Sequence, residues 1–348
     1  MSQLCVKFLT DLDCRSLHRY ASIPDLATPV SERLSRLLGV ELPIVQAPIG
    51  TASVPALAAA VSNAGGVGTL ALSWCPLEDV GEVVAETRRL TSRPFGVNLV
   101  LEWDQRERLD AALEAGARVV SVTWGNPATY VETSHDAGAV VLATVGSAEE
   151  ARRVEATGVD AVVAQGWESG GHVWGEVATM ALVPAVVDAV EIPVLAAGGI
   201  ADARGVAAAL ALGADGVWVG TRFLLAEETP IHPLYRELLL GADATDTLYS
   251  SVFDGGWPDA PHRTLRNSTL EAWQRAGSAA SGSRPGEGEV VARRPDGSEL
   301  RRYASALPLA GMEGEIEALS LWAGQSVGLV RDVRPAAEIV AELAAGLQ

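Results

Sequence analysis

Cysteine is scarce, with three in 348 residues, at Cys5, Cys14 and Cys75. None falls in a CxxC pair or beside histidines at metal-ligand spacing, which excludes a disulfide framework and leaves no visible metal-ligand set. So sparse and odd a count, in a chain long enough for a full core, fits a reducing cytoplasm. Basic residues are also short, 26 Lys and Arg against 44 Asp and Glu, for a net charge of −18. A chain this acidic repels a phosphate backbone, so nucleic acid is excluded as a partner. Long apolar runs are missing too: stretches such as Val177 to Val187 and Gly205 to Ala214 fall well below the roughly 18 residues that a membrane-crossing helix needs. The opening segment MSQLCVKFLTDLDCRSLHRY carries acidic residues inside its apolar stretch and lacks the basic and apolar blocks of a signal peptide. Residues 1–35 are read as an arm of unknown order.

What the chain does contain is 35 glycines and 48% apolar residues, the composition of a folded protein with many tight turns. From Leu42 onward, short β-branched runs alternate with stretches of helical period. The strand candidates are PIVQAPI (43–49), GVGTLAL (66–72), PFGVNLV (94–100), RVVSVTW (118–124), AVVLATV (139–145), DAVVAQG (160–166), IPVLAAGG (192–199) and DGVWVGTRF (215–223). Several of the intervening helical segments open with Pro, Asp or Ser and close with Gly, as caps do. Eight such units predict an α/β fold of the (β/α)₈ barrel type. After Phe223 the rhythm breaks into a Gly- and Pro-rich stretch. The barrel is therefore expected over 36–225 and 314–348, with 226–313 inserted after the eighth strand as a cap over the C-terminal face. Helical period returns in EIEALSLWAGQSVGLV and PAAEIVAELAAGL, which are expected to dock back on the barrel. Ala-rich segments such as GVAAALALG could pack between subunits as easily as onto the barrel, so a homo-oligomer is left open.

Chemistry concentrates at predicted strand ends. Gln165-Gly166-Trp167-Glu168-Ser169-Gly170-Gly171-His172 follows the sixth strand, on the face where such barrels react. Its paired glycines allow close approach of a planar ligand to the backbone, and an imidazole just beyond them is a candidate base. Gly198-Gly199 and Gly220-Thr221 end the seventh and eighth strands, where loops of such barrels frequently take a phosphate on backbone N–H groups. The remaining histidines carry little weight: His18 lies in the arm, His135 in a predicted helix, and His232 and His262 in the insertion, where structural roles are more common. Gly324-Gln325-Ser326-Val327-Gly328 matches the GxSxG elbow, but no histidine follows it, as that triad order requires. Neither GxGxxG nor a P-loop is present.

In order along the chain, VQAPIG (45–50), SNAGGVG (62–68), GVNLV (96–100), QGWESGGHVWG (165–175), AAGGI (196–200), GTRF (220–223) and AGQSVG (323–328) resemble the nitronate monooxygenases, FMN-dependent (β/α)₈ enzymes. The resemblance covers about Leu42 to Gln348. It implies FMN across the top of the barrel, with Ala47, Pro48 and Ile49 near the isoalloxazine, Asn98 hydrogen-bonding it, and Gln165, Gly170 and Gly171 lining the pocket. Gly198, Gly199, Gly220 and Thr221 would take the phosphate, and Gln325 and Ser326 would return to the flavin. His172 falls on the family's histidine, which abstracts the α-proton of a nitroalkane or stabilises a bound nitronate; with O2 the products are a carbonyl compound and nitrite. The pattern departs in places. Ser169 stands where Ala is common, Val173-Trp174 separate His172 from Gly175, and Ala143-Thr144-Val145 ends the fifth strand where some members carry a lysine. Two alternatives stay open. One is an FMN- and NAD(P)H-dependent enoyl-acyl-carrier-protein reductase, against which the net charge of −18 argues, with Arg293, Arg294, Arg301 and Arg302 open to reading as a docking patch or as a solvated face; the other is a non-catalytic flavin-barrel binding protein.

Overall fold

Alternate residues of each barrel strand face opposite sides, and the burial of both faces shows why the strands read as near-continuous apolar runs. In β6 (Ala161–Gln165), Val162 and Ala164 pack outward against the helices, whereas Ala161 and Val163 point into the barrel. The computed structural model describes residues 32–348; the arm lies outside them except for its end, which begins a helix, Glu32–Leu38. Leu34 and Leu38 of that helix join the inner barrel residues and plug the N-terminal end.

The other strands before β6 are β1 (Ile44–Gln46), β2 (Thr69–Ala71), β3 (Gly96–Val100), β4 (Val119–Thr123) and β5 (Val140–Val145). A two-residue strand, β7 (Gly171–His172), leaves the barrel, and β8 (Val194–Ala197) and β9 (Gly216–Val219) complete it. The eight barrel strands run in the order β1-β9-β8-β6-β5-β4-β3-β2, all parallel. The circle closes where Gln46 donates to the Val67 carbonyl at 2.8 Å and Val67 donates to Ile44 at 2.9 Å. Helices fill the intervals as expected, capped for instance by Ser147 on the Glu150 N–H and by Asp202 on Arg204 and Gly205. The last helix, Ala336–Ala344, packs against helices Pro55–Asn63 and Ala203–Ala211 and so takes the eighth outer place.

Beyond β9 the chain forms two small antiparallel sheets. The first joins β10 (Thr247–Ser250), β11 (His262–Leu265) and β7; the second orders β13 (Glu299–Arg301), β12 (Val290–Arg293) and β14 (Glu313–Gly314). Two expectations fail locally. Thr221–Leu224 is a short helix rather than the end of a strand, because β9 stops at the Gly220 turn. The stretch expected to be helical around Glu315–Val330 forms only 3-10 turns, Ile316–Ala318 and Gln325–Leu329. Between them the backbone is held extended, with Leu265 donating to Leu321 at 2.7 Å and Gly324 lying against Gly170.

Candidate functional site

The C-terminal strand ends, the β1 loop and the insertion enclose a cavity of about 760 Å3, within the range of small-molecule and cofactor sites. His172 and every cofactor residue expected from the sequence line it, except Gln325. Gln325 instead donates its backbone N–H to the Glu168 carbonyl at 3.0 Å, which ties the late segment to the β6 loop while Ser326 faces the cavity.

The β1 loop is set by a residue that sequence reading passed over. Buried Gln46 accepts from the Thr69 N–H at 2.9 Å and donates to Ser53 Oγ at 3.2 Å and to the Ala47 carbonyl. Ser53 Oγ in turn accepts from the Ile49 N–H at 2.8 Å. Ala47, Pro48 and Ile49 are thereby fixed at the cavity edge. A glutamine at the end of an otherwise apolar strand was the available signal. Asn98 commits its amide nitrogen to Ser121 Oγ at 2.8 Å and to the Ser121 carbonyl at 3.3 Å, leaving its carbonyl oxygen for a ligand. Gln165 donates to the His172 carbonyl at 3.1 Å, which fixes the backbone that presents the imidazole.

The glycines divide by physical cause. A Cβ on Gly170 would lie 2.3 Å from the Gly324 nitrogen, and one on Gly198 would lie 2.6 Å from Ser169 Oγ and from Thr179 Oγ1. Packing demands glycine at both, and at Gly198 the backbone demands it as well, with φ of +107°. Gly171 and Gly199 have φ of +72°, a left-handed conformation costly for other residues. Gly220 has neither constraint: its φ is −106°, and a Cβ there would meet only Ala47 at 3.6 Å and Ile49 at 3.8 Å. The space beside it is the cavity itself.

Around that space, the backbone N–H groups of Gly199, Gly220 and Thr221 make no hydrogen bond to another described residue. Unpartnered N–H groups are expensive away from water, so a row of them on a cavity wall is a donor set suited to an anion. Thr221 Oγ1 accepts from Gly324 at 3.0 Å, leaving its proton to donate. Ser169 Oγ, buried beside Gly198, has no partner. Among the described residues on the wall, Arg294 is the only arginine or lysine, so these donors are neutral.

His172 sits on β7, paired edge to edge with β11 of the insertion, in register with His262. Its Nε2 lies 3.4 Å from Ser305 Oγ, and Nδ1 is buried without a partner. Trp257 tilts over the ring at a centroid separation of 4.1 Å, and Trp322 lies at 5.1 Å. Burial first, and the neighbouring His262 second, push the imidazole pKa down to about 3, against a weaker upward pull from the Pro261 and Ala260 carbonyls. His262 accepts from the Phe253 N–H at Nε2 and faces the Ala260 carbonyl at 2.9 Å through Nδ1. It is a structural residue, held neutral with a pKa of about 4 by burial.

These two rings make stability pH-dependent. Unfolded, both take a proton near pH 6.5; folded, both stay neutral well below it. The unfolded chain thus binds more protons as pH falls, and stability present above pH 6.5 drains away on acidification. At about 1.4 kcal/mol per pH unit and ring, lowering the pH from 6.5 to 5 is expected to remove about 4 kcal/mol. Urea unfolding at pH 7 and pH 5 measures the loss; a difference below about 1 kcal/mol would mean that the rings accept protons in the folded state.

Of the other histidines, His232 caps helix Pro233–Gly241, and His135 pairs with Asp160 at 2.9 Å. The arginines suited to a docking patch are largely neutralised: Arg293 and Arg301 bind Glu299, and Arg302 binds Glu289 and Glu315. Arg294 leans on Ser298 Oγ at 3.2 Å at the cavity rim. Cys75 is half-buried, and burial raises its thiol pKa, which keeps it protonated. Among the described residues no helix is long and apolar enough to cross a membrane.

A parallel barrel whose C-terminal cavity gathers unpartnered backbone N–H groups and a half-buried, uncharged imidazole has the form of an enzyme site. A nitronate monooxygenase family model matches residues 31–107 and 102–346. A nitronate monooxygenase of Paraburkholderia phytofirmans is 34% identical over 355 residues, covering 88% of this chain and 92% of that protein. A (3aS,4S,5R,7aS)-5-hydroxy-7a-methyl-1-oxo-octahydro-1H-indene-4-carboxyl-CoA dehydrogenase of Rhodococcus jostii is 40% identical over 245 residues, 70% of this chain and 68% of that one. The structure of FabK from Thermotoga maritima superposes with a TM-score of 0.76 at 35% identity, covering 90% and 95% of the two chains. The chain belongs to the nitronate monooxygenase family of oxidoreductases.

Proposed function

We propose that the protein is an FMN-dependent oxidoreductase that converts alkyl nitronates, and the neutral nitroalkanes that give rise to them, with O2 to a carbonyl compound and nitrite. The observation that carries the reading is Gly220, a glycine that neither backbone conformation nor packing requires, beside unpartnered N–H groups on the same cavity wall as His172. A phosphate fits this cradle: Gly199, Gly220 and Thr221 would donate backbone N–H groups, with the Ser169 and Thr221 hydroxyls adding to them. Asn98 and the Ala47–Ile49 backbone would hold the ring system. Bound FMN would supply the electron-accepting ring that makes the oxidation possible.

The chain's own contribution is position and a proton. Burial holds His172 uncharged at neutral pH, so it is not a fixed cation opposite the nitronate; the same burial weakens it as a proton acceptor, and its proposed role as the base relies on position beside the substrate. Nε2 takes the α-proton of a nitroalkane; the C–H pair moves into the C=N bond of the nitronate. Trp257, Trp322 and the insertion strand around it keep water from the ring. In the free enzyme the base is present across the neutral range.

An acyl thioester in place of a nitro compound is the second reading, favoured by the carboxyl-CoA dehydrogenase relative. Its α-proton could be taken by the same imidazole. The ion-paired arginines argue against docking of an acidic carrier protein. Oxygen uptake with nitrite release from propane-2-nitronate, in the absence of NAD(P)H, tests the first reading. NAD(P)H oxidation that depends on an unsaturated acyl thioester, with no nitrite from any nitronate, would replace it with the reductase alternative.

A further inference from the structure

We propose that Arg294, on the hairpin between β12 and β13, binds a carboxylate at the far end of an elongated substrate whose reacting carbon lies at His172, which rests on the reading of His172 as the base. Arg294, Asp296 and Ser298 line the cavity from this hairpin. Of the four arginines on the small sheet and its turn, Arg293, Arg301 and Arg302 each bind a glutamate. Arg294 has no carboxylate within ion-pair distance among the described residues, and its guanidinium donates to Ser298 Oγ at 3.2 Å. Asp296 does not neutralise it: that carboxylate closes its own turn, accepting from the Ser298 N–H at 2.9 Å. Its pKa is lowered chiefly by Ser298, with Arg294 a smaller influence. A lone guanidinium beside an acid suits a ligand group of single negative charge, which the planar fork of a carboxylate matches.

Between the base and this arginine the cavity wall is one continuous, fixed segment. It starts at Ser305, whose Oγ lies 3.4 Å from His172 Nε2, and passes through Ala306, Leu307 and Leu309 to Met312, all on the cavity. Ser320 Oγ donates to the Ala306 carbonyl at 2.7 Å, His232 to the Pro308 carbonyl at 3.1 Å and Ala310 to the Pro230 carbonyl at 2.8 Å. The hairpin rests on the far end of the segment. A Cβ on Gly311 would lie 3.1 Å from Pro295 Cγ, and Met312 packs with Val291, Ala292 and Leu300. Arg294, next to Pro295, is therefore placed by packing. From Ser305 to Gly311 the backbone spans at most about 20 Å, and its cavity-facing side chains beyond Ser305 are apolar. A matching ligand carries an apolar spacer between its reacting carbon and its carboxylate, and a molecule as small as nitroethane leaves most of this wall uncovered.

The test uses unreactive α,ω-dicarboxylates, from butanedioate to hexadecanedioate, each compared with its own monomethyl ester. One end is always a planar carboxylate that mimics a nitronate; the other is charged or capped. Dissociation constants are read by calorimetry of the flavin-loaded protein, without turnover. The longer members are expected to bind about three- to tenfold more tightly than their esters, although the net charge of −18 opposes a second negative charge. Butanedioate, too short to reach the hairpin, should show no gain. Arg294→Gln, at an exposed position, should erase the gain and leave the esters' affinities unchanged, and Arg294→Lys should keep part of it. No gain at any length, a gain that survives Arg294→Gln, or an equal gain for butanedioate would overturn the subsite. A gain at the longer lengths without oxidation of any nitronate would instead count against the nitronate reading and leave the subsite standing; nitronate oxidation without the gain removes only the subsite.

Discussion

Gly220→Leu is expected to fold normally and to purify without flavin. The backbone at Gly220 has a φ open to any residue, and a Cβ makes only ordinary contacts with Ala47 and Ile49. The rest of a leucine side chain must then enter the space beside the unpartnered N–H groups, where the phosphate is proposed to sit. The loss should be near complete, because overlap with a buried phosphate cannot be relaxed by a flexible neighbour on this wall. The contrast with Gly170 makes the experiment clean. There a side chain would strike the Gly324 backbone, and failure to bind flavin would only report misfolding. Circular dichroism and the flavin-to-protein absorbance ratio together decide it: a folded variant with full flavin content would move the phosphate elsewhere.

His172→Ala should retain flavin and lose turnover of neutral nitroalkanes by about 10²- to 10⁴-fold, the usual contribution of a positioned general base. Preformed nitronates, which need no proton removed, should lose far less. The imidazole leaves behind an apolar space bounded by Trp257 and Trp322, and the β7–β11 pairing is a backbone contact, so the sheet should persist. Steady-state oxygen uptake with nitroethane and with its nitronate compares the two. An equal fall on both substrates would make His172 a binding residue, and no fall on either would remove it from the reaction.

The barrel was readable because each strand is a short β-branched run bounded by glycine or proline, and parallel strands buried on both faces need no longer signal. The sequence-based strand boundaries overran the ends, as at Gly220, where the glycine that permits the turn also extends the apolar run. His172 was expected at the cavity from its place beside paired glycines after the sixth strand, on the face where such barrels meet ligands, whereas Asn98, in the middle of β3, and Gln165 were expected there from the family resemblance. Other parts depend on contacts between distant segments. His172 becomes a strand residue only by pairing with His262, and neither segment carries a pattern that names the other. The tryptophans on the cavity are scattered between positions 74 and 322, and Trp257 and Trp322 belong to segments after the last barrel strand, so only the packing of those segments over the strand ends brings them to His172. The stretch from Glu315 to Val330 has helical spacing of apolar residues, yet its hydrogen bonds go to β11 and the β6 loop, so tertiary pairing overrides the local period.

The anaerobic visible spectrum of the purified protein, before and after addition of propane-2-nitronate, bears most directly on the proposed activity. A bound flavin band that changes on adding the nitronate alone, with oxygen taken up when air is readmitted, is the expected result. A protein without flavin, or a flavin reduced by NAD(P)H and indifferent to nitronate, would contradict it.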